Sequence, residues 1–155
     1  MVIDAQVNML IGKYAIPNAE EFTQKLQARI DKARAESTPV IHVLNDVEEG
    51  WPVDQFDPVF KPTESELVIW KALPSVFESN PNFATELKEL GYDELELIGM
   101  QSDLCLRESA LDAVKLGFSV SAPKGLHSTY DNDGKTAAQI AEEAQAEFTQ
   151  AGITG

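Results

Sequence analysis

Apolar positions along the chain fall into short unbroken runs separated by longer stretches with helical spacing. Val2 and Ile3 read as the end of a first strand, and Asp4, Ala5 and Gln6 follow it. A loop with Gly12 and Pro17 comes next. Phe22, Leu26, Ile30 and Ala33 then recur every three or four residues among charged ones, which predicts an amphipathic helix from Ala19 to Ala35 capped by Asn18. Pro39 opens a second strand, Val40 to Leu44. Glu66 to Ala72 predicts a third, interrupted near its end by Lys71. Asn82 to Leu90 reads as a short helix stopped by Gly91. Leu95, Leu97 and Ile98 mark a fourth strand that runs through a tight turn into a helix spaced on Leu104, Leu111 and Val114. Ser102 and Asp103 are its candidate N-caps, and Gly117 suits a left-handed C-cap. Phe118 to Ala122 predicts a fifth strand, the polar stretch His127 to Thr136 a loop, and Gly134 to Ala151 a last helix with Ala137, Ile140, Ala141, Ala144 and Phe148 inward.

Strands alternating with helices imply a parallel sheet covered on both faces. The expected fold class is α/β: a single-domain, Rossmann-like three-layer α/β/α sandwich with a mostly parallel sheet of five to six strands, spanning residues 1–155. At 155 residues and 43% apolar content, the chain is long enough to bury one sizeable core.

Charge narrows the partners. Twelve Lys and Arg face 26 Asp and Glu, a formal charge of −14, which disfavours nucleic acid and anionic membrane. One cysteine permits no internal disulfide, and no run of 18 apolar residues is present. The start has no basic stretch leading into an apolar core. A reducing, cytoplasmic setting is the expectation, with a small molecule as partner.

Cys105, the single cysteine, falls in the first turn of its helix. Unpaired N–H groups and the positive dipole end favour a thiolate there, and the same groups suit an oxyanion. A lone cysteine is otherwise a small buried hydrophobe. What changes the picture is its company. Asp4, Lys71 and Cys105 all lie at carboxyl ends of predicted strands, where open α/β sheets form one crevice. A carboxylate, an ammonium and a thiol meeting there suit nucleophilic hydrolysis: Cys105 attacks, Lys71 lowers its pKa, and Asp4 accepts and returns the proton. The long connection 46–64, rich in Pro and aromatic residues, places Trp51 in a pocket, at a subunit contact or packed on the domain.

Three segments, VIDAQ at 2–6, IWKALPSVF at 69–77 and LIGMQSDLCLRESALDAVKLG at 97–117, occur in the order seen in the isochorismatase-like cysteine hydrolases. The chain resembles that superfamily, which includes isochorismatases, nicotinamidases and N-carbamoylsarcosine amidases, over nearly its whole length. The resemblance implies a catalytic set of Asp4, Lys71 and Cys105. It also implies a non-proline cis peptide between Met100 and Gln101, and an oxyanion hole from the backbone N–H groups of Gln101 and Cys105. Gln6, Met9, Trp51, Phe77 and Met100 are the candidate substrate-binding residues, Trp51 from its place in the long connection and Phe77 as either a pocket aromatic or a core residue, and homo-oligomers are common among such proteins.

Departures shape the substrate. Nicotinamide-hydrolysing members bind a metal through an aspartate and histidines after the second strand, where this chain has Asn45, Asp46, Glu48 and Glu49. The expectation is no metal and no cofactor, with His42 and His127 structural or at the surface. Met9 replaces a frequent aromatic, and Pro123 and Lys124 stand where an acidic residue is often found. The leading reading is a metal-independent cysteine hydrolase that cleaves an amide or other C–N bond through a thioester. The alternatives are a vinyl ether hydrolase of the isochorismatase type, a cysteine-based redox or thiol-sensing protein, and an inactive member with an assembly role. A phosphoacceptor module is disfavoured, because Gln6 and Lys71 stand where it needs acids.

Overall fold

Alternating side chains divide the interior into two apolar cores, one on each face of a parallel sheet. The computed structural model describes residues 1–155. The strands are β1 (Val2–Ile3), β2 (Ile41–Asn45), β3 (Leu67–Lys71), β4 (Glu94–Glu96), β5 (Ile98–Met100), β6 (Ser119–Ser121) and β7 (His127–Ser128). The helices are α1 (Val7–Leu10), α2 (Ala19–Ala35), α3 (Val76–Ser79), α4 (Phe83–Glu89), α5 (Cys105–Lys115) and α6 (Ala137–Gln150).

Five strands pair in the order β3-β2-β1-β5-β7, and every ladder is parallel. The predicted fourth strand is split. Its first half, β4, pairs with β6, while β5 pairs with β1 and β7, and between them the Leu97 N–H donates to Ser121 O at 2.8 Å. Val2, Ile98 and Met100 face Leu10, Phe22, Leu26 and Ile30 of α1 and α2. On the other face Ile3, Val43 and Leu97 meet α3 to α6 through Val76, Leu87, Leu106, Ala110 and Phe148. The expected three-layer architecture is therefore present.

Two glycines are dictated by geometry. At Gly99, φ is +116°, and an added Cβ would stand 2.1 Å from Ile3 O, because β1 and β5 approach closely there. Gly117, at φ +89°, ends α5 as expected: its N–H donates to Val114 O and the Phe118 N–H to Ala113 O, a Schellman closure.

Local expectations fail where side chains serve tertiary contacts instead. Asn18 precedes α2 in a left-handed conformation and makes no cap bond. Ser102 and Asp103 do not cap α5, which starts at Cys105 after Leu104; both side chains are engaged by the strand-and-loop segment that begins with β7. The stretch from His127 contains strand β7, and α6 begins at Ala137 behind a Thr136–Gln139 capping box. In β3 the expected burial is inverted. Leu67, Val68 and Trp70 are exposed on the edge strand, while Lys71 is 1% exposed.

Candidate active site

Asp4, Lys71 and Cys105 come together above the carboxyl edge of the sheet. Asp4 leaves β1 at φ +48°, its N–H donating to Val43 O at 2.9 Å. Lys71 ends β3, two strands away, and its side chain reaches back over β2. Lys71 Nζ stands 3.0 Å from Asp4 Oδ2, and both side chains are fully buried. This is an ion pair without an aligned hydrogen bond, and neither Asp4 oxygen accepts one from elsewhere. Lys71 Nζ donates instead to Asn45 Oδ1 at 3.1 Å.

Cys105 is the first residue of α5 and is buried. The turn before it holds a cis peptide between Met100 and Gln101. Gln101 O accepts from the N–H groups of Leu104 and Leu106, while the N–H groups of Gln101 and Cys105 donate to no other group of the protein. Two unpaired donors thus lie on the turn that carries Cys105.

The electrostatics differ from the sequence expectation. Burial raises the Asp4 carboxyl pKa, with Lys71 pulling the other way. Burial also pushes the Cys105 thiol up to about 12, the Asp4 charge adds to this, and Lys71 offsets only part. Desolvation of the sulfur thus works against the thiolate that the helix N-terminus and the lysine favour, and sets the thiol beside a buried base of raised basicity.

The residues implied as substrate contacts separate into distinct groups. Gln6 is fully buried and its amide is committed to backbone: Nε2 donates to Asn45 O at 3.0 Å and Phe56 O at 2.7 Å, and Oε1 accepts from the Asn45 N–H at 2.9 Å. It has no free group for a substrate, and instead fixes the backbone of the Asn45 that holds Lys71. Phe77 is a core residue stacked on Phe83 and Phe118 at centroid distances of 5.7 and 5.9 Å. Met100 is fully buried in the core beside α2, and Met9 packs at that core's margin. Trp51 lines an open cavity, of about 520 Å³, with Ile11, Lys13, Tyr14 and Gln55. It packs edge-on against Tyr14 at 5.1 Å and Phe56 at 6.3 Å.

Asn45 is the site residue the sequence did not reveal. Its signal was a carboxamide at the carboxyl end of a strand, read there as the start of a loop. No group of three or more His, Cys, Asp or Glu side chains is arranged to hold a metal ion. Both histidines are buried in side-chain networks. His42 Nε2 meets Glu66 Oε2 at 2.9 Å, and His127 bridges Ser102 and Gln145.

A sequence model of the isochorismatase domain matches residues 1–151. The chain belongs to the isochorismatase family. It is thus a member of a hydrolase family, as the sequence led us to expect. This isochorismatase-family chain is 28% identical over 156 residues to the secreted isochorismatase effector Isc1 of Verticillium dahliae, covering 96% of itself and 81% of that protein. It is 28% identical over 137 residues to a streptothricin hydrolase of Streptomyces noursei, covering 84% of itself and 54% of that enzyme. It therefore spans about half the length of that hydrolase. Among solved structures, an isochorismatase from Pseudomonas putida KT2440 superposes with a TM-score of 0.84 at 28% identity, over 96% of this chain and 81% of the other. No helix is long and apolar enough to cross a membrane.

Proposed function

We propose that this protein is a metal-independent cysteine hydrolase that cleaves an amide or other C–N bond of a small molecule through Asp4, Lys71 and Cys105. The observation that carries the reading is the buried Asp4–Lys71 pair set against the buried Cys105 thiol, at a turn with two unpaired N–H groups.

The reaction follows from these groups. Cys105 Sγ attacks the substrate carbonyl carbon as its proton passes to Asp4. The carbonyl oxygen takes the negative charge and is held by the N–H groups of Gln101 and Cys105; removing one such donor typically costs about 3 to 4 kcal/mol. Collapse breaks the C–N bond, the amine leaves with the proton from Asp4, and a thioester remains. Water then attacks the thioester, giving a proton to Asp4. The second collapse releases the carboxylic acid, and the proton on Asp4 returns to the sulfur. Lys71 opposes the upward pull of burial on the Asp4 pKa and so favours its return to the carboxylate between steps, and Asn45 Oδ1 holds the lysine in place. Asn45, which ends β2, and Asp46, Glu48 and Glu49 beyond it offer no histidine, which supports a reaction without a metal.

A nucleophile that must stay reduced fits a cytoplasmic setting. Self-association belongs to the same reading, supported by the exposed Leu67, Val68 and Trp70 on edge strand β3, and sedimentation velocity decides it. The activity is tested by screening simple amides and carbamoyl compounds while following acyl-Cys105 by intact mass. Cys105→Ala is expected to remove both turnover and adduct. Turnover retained by that variant overturns the covalent route.

A further inference from the structure

The turn between β5 and α5 is fastened by side chains that the reaction does not use. Ser102 is fully buried, and its N–H donates to Ser128 O at 2.9 Å. Its hydroxyl lies 2.8 Å from His127 Nδ1, and His127 Nε2 lies 2.9 Å from Gln145 Oε1 on α6. An amide oxygen facing Nε2 requires the proton on that nitrogen; Nδ1 is then bare, and the Ser102 hydroxyl donates to it. Burial pushes the His127 pKa down, which keeps the ring neutral and this direction fixed. One residue further on, Thr129 Oγ1 donates to Asp103 Oδ1 at 2.6 Å.

These contacts fall on the segment whose two ends carry the free N–H groups of Gln101 and Cys105. His127 hydrogen-bonds to none of Asp4, Lys71 and Cys105, so it acts through Ser102 or not at all. Oxyanion donors stabilise a transition state only while they are held still, and a displacement of about 1 Å costs about a hundredfold in rate.

We propose that His127, acting through Ser102, is a positioning residue that holds the Gln101 and Cys105 N–H groups on the developing oxyanion. This rests on the hydrolase reading above. It assigns a role in the reaction to a histidine expected to be structural or at the surface, and gives a use to a buried serine that does not cap α5.

The test compares two reactions of the same sulfur in the full chain. With p-nitrophenyl acetate, Cys105 Sγ bonds to the ester carbonyl carbon and its proton goes to Asp4. The tetrahedral oxyanion collapses, and p-nitrophenolate leaves acetyl-Cys105. With iodoacetamide, sulfur displaces iodide at a saturated carbon and no oxyanion forms. His127→Ala is expected to slow acetylation about 10- to 100-fold while alkylation changes by less than about twofold. His127→Asn, whose amide oxygen can stand where Nδ1 stood, is expected to restore most of the acetylation rate. Ser102→Ala should reproduce the loss, and His127→Ala added to it should cost little more, because both cut one connection. If His127→Ala does not fold, Ser102→Ala and His127→Asn carry the same comparison.

Acetylation at the wild-type rate in His127→Ala or Ser102→Ala, a fall that alkylation matches, or losses that simply add would each overturn the proposal. A wild-type protein that takes no acetyl group on Cys105 overturns the hydrolase reading itself, and that result is seen before any variant is made.

Discussion

Asp4 Oδ2 and Lys71 Nζ stand 3.0 Å apart with both side chains withdrawn from solvent. Each charge is tolerable only because of the other, since an isolated ion in such a place is strongly disfavoured. Lys71→Met should therefore destabilise the fold by about 3 to 5 kcal/mol at pH 8, with a smaller loss at pH 5. The sign follows from Asp4. Burial raises its folded pKa, so the folded state binds the proton more tightly and stability falls as pH rises through that pKa. Urea unfolding at the two pH values checks this. Adding Asp4→Asn to Lys71→Met should recover part of the loss, and a single variant as stable as wild type at pH 8 would refute the argument.

The thiol provides a second prediction. Because burial and Asp4 push Cys105 up to about 12, alkylation by iodoacetamide should be slow at neutral pH and still rising above pH 9. Asp4→Asn removes a negative charge and should move the profile to lower pH. Lys71→Ala removes a positive one and should move it higher. A plateau below pH 8 in the wild type would show that the resting sulfur is a thiolate after all.

Glu66 links β3 to α2. Arg34 holds both its oxygens, at 2.7 and 3.0 Å, while the Thr63 N–H and His42 Nε2 complete the set and bring its pKa down to about 2. A depressed carboxylate contributes stability that is present above its unfolded pKa and lost as pH falls through the folded one. The window here runs from about 4.5 down to about 2. The contribution at neutral pH is on the order of 3 kcal/mol. Glu66→Gln should cost a comparable amount at pH 7 and flatten the acid limb of a melting-temperature profile across that window.

Gly99 tests the sheet. A methyl group there meets Ile3 O at 2.1 Å in a backbone conformation L side chains rarely adopt. Gly99→Ala should cost about 3 kcal/mol or more, because β1 must move away from β5 and takes Asp4 with it. Thermal unfolding measures the loss, and alkylation of Cys105 should change in the same variant. A melting temperature equal to that of wild type would mean that β1 and β5 can separate freely.

Much of this protein was legible in the chain because it depends on local order. Runs separated by helical spacing define an alternating α/β chain, and right-handed parallel connections send the carboxyl ends of its strands to one edge. That was enough to bring Asp4, Lys71 and Cys105 to a common address and to put Cys105 at the head of α5. The three matching segments gave the family. Short elements such as α1, α3 and β7 escaped, since four residues or fewer are too short to show a hydrophobic period of their own.

What only the tertiary structure decided is what each polar side chain faces. The sequence suggested a thiolate, because it shows the helix terminus and the lysine but not the water excluded from the sulfur. Gln6 was read as a substrate contact, yet its amide is taken up by backbone from residues 39 and 50 positions away. Ser102 and Asp103 have the composition of caps, and spend it on His127 and Thr129. Burial and long-range hydrogen bonding belong to no single segment. They arise when separate elements meet, and they set the protonation of the sulfur and the stiffness of the turn around it.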